Sequence, residues 1–198
     1  MNMAVLTTLG VPDNTGNTTT LMPKLAYRFR VTFIGGAFSA TPTRSVISAS
    51  RPSLQHDPVQ LDAYNSRIYL AGKHTWQPVG VVLRDDIDGL IVKELNAQMN
   101  RQIDHANQAS PRAGTAYKFT TVVENLDGGN PNPAVLNKYE LSGCYIESVS
   151  YGDLNYASSD QIAINISIRY DNAEIYDAAG LPTLTGATID QTAGLPTG

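Results

Sequence analysis

The sequence predicts a mainly β fold, an antiparallel β-sandwich or barrel with one flanking α-helix. Three observations carry that prediction. Near the end of the chain Ile162, Ile164, Ile166, Ile168 and Tyr170 alternate without a miss against Gln161, Ala163, Asn165, Ser167 and Arg169. Near its start Leu25, Tyr27, Phe29, Val31 and Phe33 alternate against Arg28, Arg30 and Thr32. Successive strand side chains point to opposite faces, so each segment has one oily and one polar side. Only one stretch recurs every four residues instead: Ile87, Ile91, Leu95, Met99 and Ile103, supported by Leu90 and Val92 and interrupted by Gln98 and Gln102. That spacing predicts one amphipathic helix over about Gly89 to Asn107.

The elements follow in order. Residues 1–23 form an arm whose Thr, Asn and Gly content buries too little surface to offset ordering entropy. The first strand, Leu25 to Phe33, closes at Gly35-Gly36. A weaker strand runs from Arg44 to Arg51 and stops at Pro52. Pro58 to Leu61 and Arg67 to Ala71 flank a short polar turn, Asp62 to Ser66, and a further strand covers Thr75 to Leu83. Ser110-Pro111 and Gly114 end the helical region. Lys118 to Leu126 reads as a strand, Asp127 to Pro133 as a turn, and Val135 to Ser142 as the return strand, which Gly143 breaks. The strand 161–170 follows, with its four isoleucines in the core. From about Asp171 the chain is loose again and repeats Ala-Gly-Leu-Pro-Thr at 179–183 and 193–197. The expected organisation is an arm over 1–23, a β-sandwich body over 24–172 and an extension over 173–198.

Composition narrows the function. At 198 residues with 42% hydrophobic content, one domain with extensions can bury a real core. Charged residues make up 16%, below the usual quarter, so the surface leans on Thr, Asn, Ser and Gln. A net charge of −4 argues against a nucleic-acid binder, which carries a basic stripe. Cys144 is the single cysteine, so no intrachain disulfide forms, and a reducing compartment is the simplest reading. With no apolar leader near Lys24 and no membrane-length apolar run, the expectation is a soluble chain folding in the cytoplasm.

Few residues offer chemistry. Asp85, Asp86 and Asp88 are the densest acidic cluster; they suit metal ligation or acid/base work, but their place before the helix favours capping. His56, His74 and His105 lack metal-ligand spacing and read as surface or loop residues. Cys144 reads as a small buried residue. Arg28, Arg30 and Arg169 project from polar strand faces, where pairing with carboxylates outweighs a phosphate stripe. Trp76 fits a half-buried anchor at the foot of a strand better than an exposed sugar platform. No phosphate-binding, dinucleotide or nucleophile-elbow motif is present, and neither a cofactor nor an enzymatic activity is expected.

Three stretches together resemble the tail tube proteins of contractile-tailed (myovirus-type) bacteriophages: Leu25 to Phe33; Asn65 to Trp76 leading into Val79 to Asp86 and the helix; and Tyr117-Lys118 onward through Leu141-Ser-Gly143 and Tyr151-Gly-Asp-Leu-Asn-Tyr156 to Tyr170-Asp171. The resemblance covers roughly residues 24–172. Cys144-Tyr145 stands after Gly143 where the family has Trp-Pro, and both arms exceed the family core. The resemblance implies a phage tail tube-like structural protein of the virion, assembled in the host cytoplasm as hexameric rings stacked into a hollow tube. Implied partners are identical copies, a tail sheath, baseplate and tail terminator proteins, with viral DNA passing through unbound and no membrane insertion. It makes Asn165, Ser167 and Arg169 candidates for the channel wall. Arg67, Ala71, Gly72, Lys73 and His74 become candidates for an inter-ring or inter-subunit loop. Two other readings stay open: a tube subunit of a related injection machine, and a monomeric carbohydrate- or receptor-binding module using Trp76 and the tyrosines. A hydrolase built on the Asp85 cluster is a distant third.

Overall fold

A computed structural model describes residues 23–38, 42–128, 133–157 and 159–178. The expected arm and most of the expected tail therefore lie outside the described residues. The elements are β1 (Phe29–Ile34), a helical turn α1 (Pro42–Ser45), β2 (Val46–Ala49), β3 (Ser53–Ala63), β4 (Ser66–Gln77), β5 (Val79–Arg84), the helix α2 (Leu90–Gln102), β6 (Phe119–Leu126), β7 (Val135–Ser150), β8 (Ala163–Arg169) and β9 (Asn172–Asp177). All strand pairs are antiparallel. Seven strands form one sheet in the order β1-β6-β7-β8-β5-β2, with β9 also on β7, while β3 and β4 form a separate two-stranded ribbon. The fold is mainly β with one helix of substance, as its alternating segments predict.

The sheet works because β7 turns a corner. Its first part lies between β6 and β9, and its last part pairs with β8, from Tyr145↔Arg169 onward. Gly143 sits at the change with φ +69°, and a Cβ there would run into the Asp171 carboxylate. Gly143 is therefore a bend within a sixteen-residue strand rather than the break expected from sequence. The bend folds the sheet over a core of Val31, Phe33, Val79, Val81, Leu83, Phe119, Val123, Leu141, Cys144, Ile146, Ile164, Ile166 and Ile168, with Ile91 and Leu95 from the helix. Ile162 falls outside this core and is 41% exposed, because β8 begins one residue later.

Other boundaries moved for local reasons. Tyr27 is exposed in a turn closed by Arg28 N–H to Leu25 C=O, so β1 begins at Phe29. Only Val46–Ala49 of the 44–51 segment is strand, behind the α1 turn. Pro78, which has no N–H to donate, separates β4 from β5 within the expected 75–83 strand. The sheet also continues into the expected loose tail, where β9 pairs with β7 from Ser142↔Asn172 to Asn137↔Asp177. The structured body thus reaches Asp177 instead of stopping at Asn172.

The helix is shorter than its apolar period. Asp104 ends it: one carboxylate oxygen accepts the Ala106 and Asn107 N–H groups at 2.9 and 3.3 Å, drawing the chain into a turn. Those hydrogen bonds, with one from the Asn107 side chain, hold the Asp104 carboxyl below its usual range. Ile87 precedes the helix and is fully exposed. Expected capping by Asp85, Asp86 and Asp88 is absent, because Gly89, with φ 62°, occupies the N-cap without a side-chain bond. Asp85 instead accepts the Asp86 N–H, and Gly89 N–H closes a turn on Asp86 C=O at 2.8 Å.

The two glutamines that interrupt the apolar face join helix to sheet. Gln98, fully buried, accepts the Ala37 N–H at 2.9 Å and donates to the Tyr117 C=O at 2.6 Å. Gln102 meets both polar groups of Ile146, donating to its C=O and accepting its N–H at 2.9 Å each. Its amide thus stands in for a neighbouring strand on that margin of β7. Replacing Gln98 by leucine keeps volume but leaves the part-buried Ala37 N–H and Tyr117 C=O without this partner. Since an orphaned group costs about 1–3 kcal/mol when fully buried and less when partly wet, Gln98→Leu is expected to lower unfolding free energy by about 1–2 kcal/mol in denaturant melts. An unchanged midpoint would show that these bonds hold nothing.

Candidate functional site

The outer face of the half-sheet β7-β8-β5 carries small neutral groups. Register sets Ser150 beside Asn165 and Asn165 beside Val82, and in the next rung Ser148 beside Ser167 and Ser167 beside Gly80. Ser50 adds a hydroxyl at the end of that second rung, accepting the Gly80 N–H at 2.9 Å. Asn165 is exposed, and Ser167 and Arg169 are half-buried. The charge of Arg169 is matched, because its Nε donates to Glu147 at 2.9 Å and the Ser167 hydroxyl donates to the other Glu147 oxygen at 3.2 Å. The three residues expected to share a face therefore do so. Sequence reading missed Ser148, Ser150 and Glu147 beside them, because it ended β7 at Ser142, and it missed Gly80 because the pairing of β5 with β8 is not encoded in either segment.

The outer face of the other half, β1-β6-β7-β9, is chemically different. One row runs Arg30, Glu124, Lys138, Tyr176 across four strands. Arg30 pairs with Glu124, and the Lys138 ammonium lies 4.4 Å from the Tyr176 ring centre. Arg28 donates to the Asp127 carbonyl. Arg28, Arg30 and Arg169 thus have oxygen partners and form no phosphate stripe.

The ribbon β3–β4 continues the β2–β5 edge outward, and nearly all its residues are exposed. Arg67, Ala71, Gly72, Lys73 and His74, expected in a loop, lie on strand β4. The turn is only Tyr64-Asn65, because cross-strand pairing runs from Ser53↔Gln77 to Ala63↔Ser66. Arg67 is held by Asp62 at 2.7 Å. Gly72 lies at a bulge where an added Cβ would meet the Asp57 carbonyl at 2.5 Å, so the close strand approach requires glycine. Val59↔Leu70 and Leu61↔Ile68 are directly opposed, and alternation puts all four on one face of the ribbon. They are 46–56% exposed, an apolar patch that nothing described in the chain covers.

At the far end of β5, beyond Arg84, the acidic turn 85–88 lies against the loop 151–162 through Asp85 N–H to Ile162 C=O at 3.1 Å. Ile87, Leu154 and Tyr156 are 82–111% exposed there. Since β5 starts beside the ribbon at Val79 and ends beside this turn, the two apolar features occupy opposite ends of one strand.

With this geometry in place, comparison with solved structures identifies the architecture. A chain of the anti-feeding prophage cap superposes with TM-score 0.62 at 16% identity, over 83% of this chain and 97% of that one. A chain of the six-fold symmetrised anti-feeding prophage baseplate gives 0.59 at 14%, over 79% and 97%. The SPP1 tail tube gives 0.51 at 14%, over 78% and 80%. This is a tail-tube fold. It is shared with parts of contractile injection systems and with a phage tail. No family model matches the sequence, and no curated protein sequence does either.

The remaining candidates lie apart from one another. Among the described residues no group of three or more His, Cys, Asp or Glu side chains could hold a metal ion. Cys144 is fully buried, its thiol donating to the Leu141 C=O at 3.2 Å, and burial pushes that thiol up from its ordinary value. Trp76 is half-buried at the root of the ribbon with its ring centre 5.7 Å from that of Tyr170. It packs against the core at the point where the ribbon leaves the sheet. Among the described residues no helix is long and apolar enough to cross a membrane.

Proposed function

We propose that the chain is a structural subunit that assembles with identical copies into rings, and the rings into a hollow tube. The observation that carries this reading is the ribbon: an exposed two-stranded sheet with one apolar face is marginal in water unless something covers it. A second copy supplies a cover of matching character, because the opposite end of β5 exposes Ile87, Leu154 and Tyr156. Contacts that join one end of a molecule to the other end of the next are heterologous, and they propagate. Sideways closure has its own material. Among the described residues β2 pairs only with β5, and the last part of β7 pairs only with β8 apart from the Gln102 clamp. Pairing the two margins of this half between neighbours removes exposed sheet edges, as a closed barrel does.

Such closure turns the Ser148, Ser150, Asn165, Ser167 and Gly80 face toward the bore and leaves the charged face outside. Six subunits per ring accord with the six-fold symmetry stated for one structural relative. DNA carries about one negative charge per 1.7 Å of axis, so a basic wall would grip it, whereas hydroxyls, amides and a matched Glu147–Arg169 pair let it slide. On this reading the chain conducts a viral genome inside a phage tail, meets sheath, baseplate and terminator proteins, and resides in the virion. A tube of a related injection machine is the second reading, favoured by the likeness to chains of the anti-feeding prophage and of an extracellular contractile injection system. The arms over 1–23 and beyond Ala178 are proposed to reach neighbouring rings or a sheath.

The test separates assembly from folding. Leu61→Lys with Ile68→Asp alters only exposed side chains and sets opposite charges across the strand pair, so thermal melts should match wild type while rings and tubes disappear from negative-stain images. Tubes of normal length from that variant would refute the ribbon's role. Asn165→Lys with Ser167→Lys should instead leave tubes intact and slow genome ejection in an infection assay. Unaltered ejection would count against the assigned wall.

A further inference from the structure

The ribbon carries a second feature besides its apolar face. His56 and His74 are paired directly across β3 and β4, with ring centres 6.1 Å apart and planes at 60°. Both residues are exposed. Neither ring makes a hydrogen bond or ion pair among the described residues, so the ring nitrogens are free for a ligand. The Gly72–Lys73 bulge next to His74 fixes the register, and the Trp76 ring stands edge-on to His74 at 6.5 Å.

We propose that His56 and His74 form a two-imidazole site for a divalent cation of the zinc class, clamping β3 to β4. With metal–nitrogen bonds of about 2.0–2.1 Å and a tetrahedral angle at the metal, one ion shared by two imidazoles holds their ring centres about 5 Å apart. The observed 6.1 Å is somewhat wider, so binding draws the two exposed rings together by side-chain rotation. Neutral imidazole suits zinc, copper and nickel and not calcium or magnesium, which seek oxygen. Water completes the coordination shell, since no third side chain joins the pair. The ion cross-links a ribbon that stands outside the main sheet, and it stiffens that ribbon whether or not copies assemble. The inference is independent of the tube.

Zinc chloride added to the full chain, followed by NMR of the histidine ring protons and by calorimetry, tests it. One ion should bind per chain, shifting the His56 and His74 signals and leaving those of His105 in place. Either His56→Asn or His74→Asn should weaken binding at least about tenfold, with His105→Asn unchanged and EDTA reversing the effect. Backbone spectra of each variant show whether the ribbon is kept. Equal zinc affinity in His74→Asn and wild type, or no saturable binding at all, would overturn the proposal.

Discussion

Every buried backbone N–H and C=O must find a partner, and here that requirement is hardest to meet where the sheet folds over itself. At Gly143 the long strand β7 leaves β6 and β9 to run beside β8. Its margin beyond the corner would be bare at Ile146 without the Gln102 amide. Gln98 performs the same service for Ala37 and Tyr117. The helix is thus fastened by two amides as well as by Ile91 and Leu95. Remove these contacts and the two halves lose the strut that holds their angle.

That angle separates two surfaces of unlike chemistry. On one half, rungs of serine, asparagine and glycine present hydroxyls, an amide and bare backbone. On the other, the Arg30–Glu124–Lys138–Tyr176 row binds charge to charge across strands. The neutral face and the charged face thus belong to different halves of one folded sheet. The chain needs its margins and its ribbon covered, and identical copies can cover both. The fold itself is the one shared with phage-tail and injection-system chains.

Much of this was legible in the sequence, and the failures are instructive. The alternation from Ile164 to Ile168 and from Phe29 to Phe33 marks real strands, because one face of each is buried and a single slip would expose it. The ribbon was read as two short pieces and a five-residue turn. Both its faces meet solvent, so no burial pattern disciplines its sequence. Gly143 looked like a stop because a positive φ serves a break and a bend equally well. Gln98 and Gln102 looked like flaws in a helix face, since their partners are backbone groups far along the chain. Alternation within one strand is enough to put Asn165, Ser167 and Arg169 on one face. Ser148, Ser150 and Glu147 required the register between strands, which no single segment encodes.

The central claim is that identical chains complete one another's sheet margins. Amide hydrogen exchange, read by mass spectrometry on dispersed and on assembled protein, tests it most directly. The account predicts that assembly slows exchange in Val46–Ala49 of β2, in Ser148–Ser150 of β7 and along the β3–β4 ribbon, while the core strand β8 stays equally protected in both states. Exchange at those margins that is as fast in the assembly as in the free chain would contradict it.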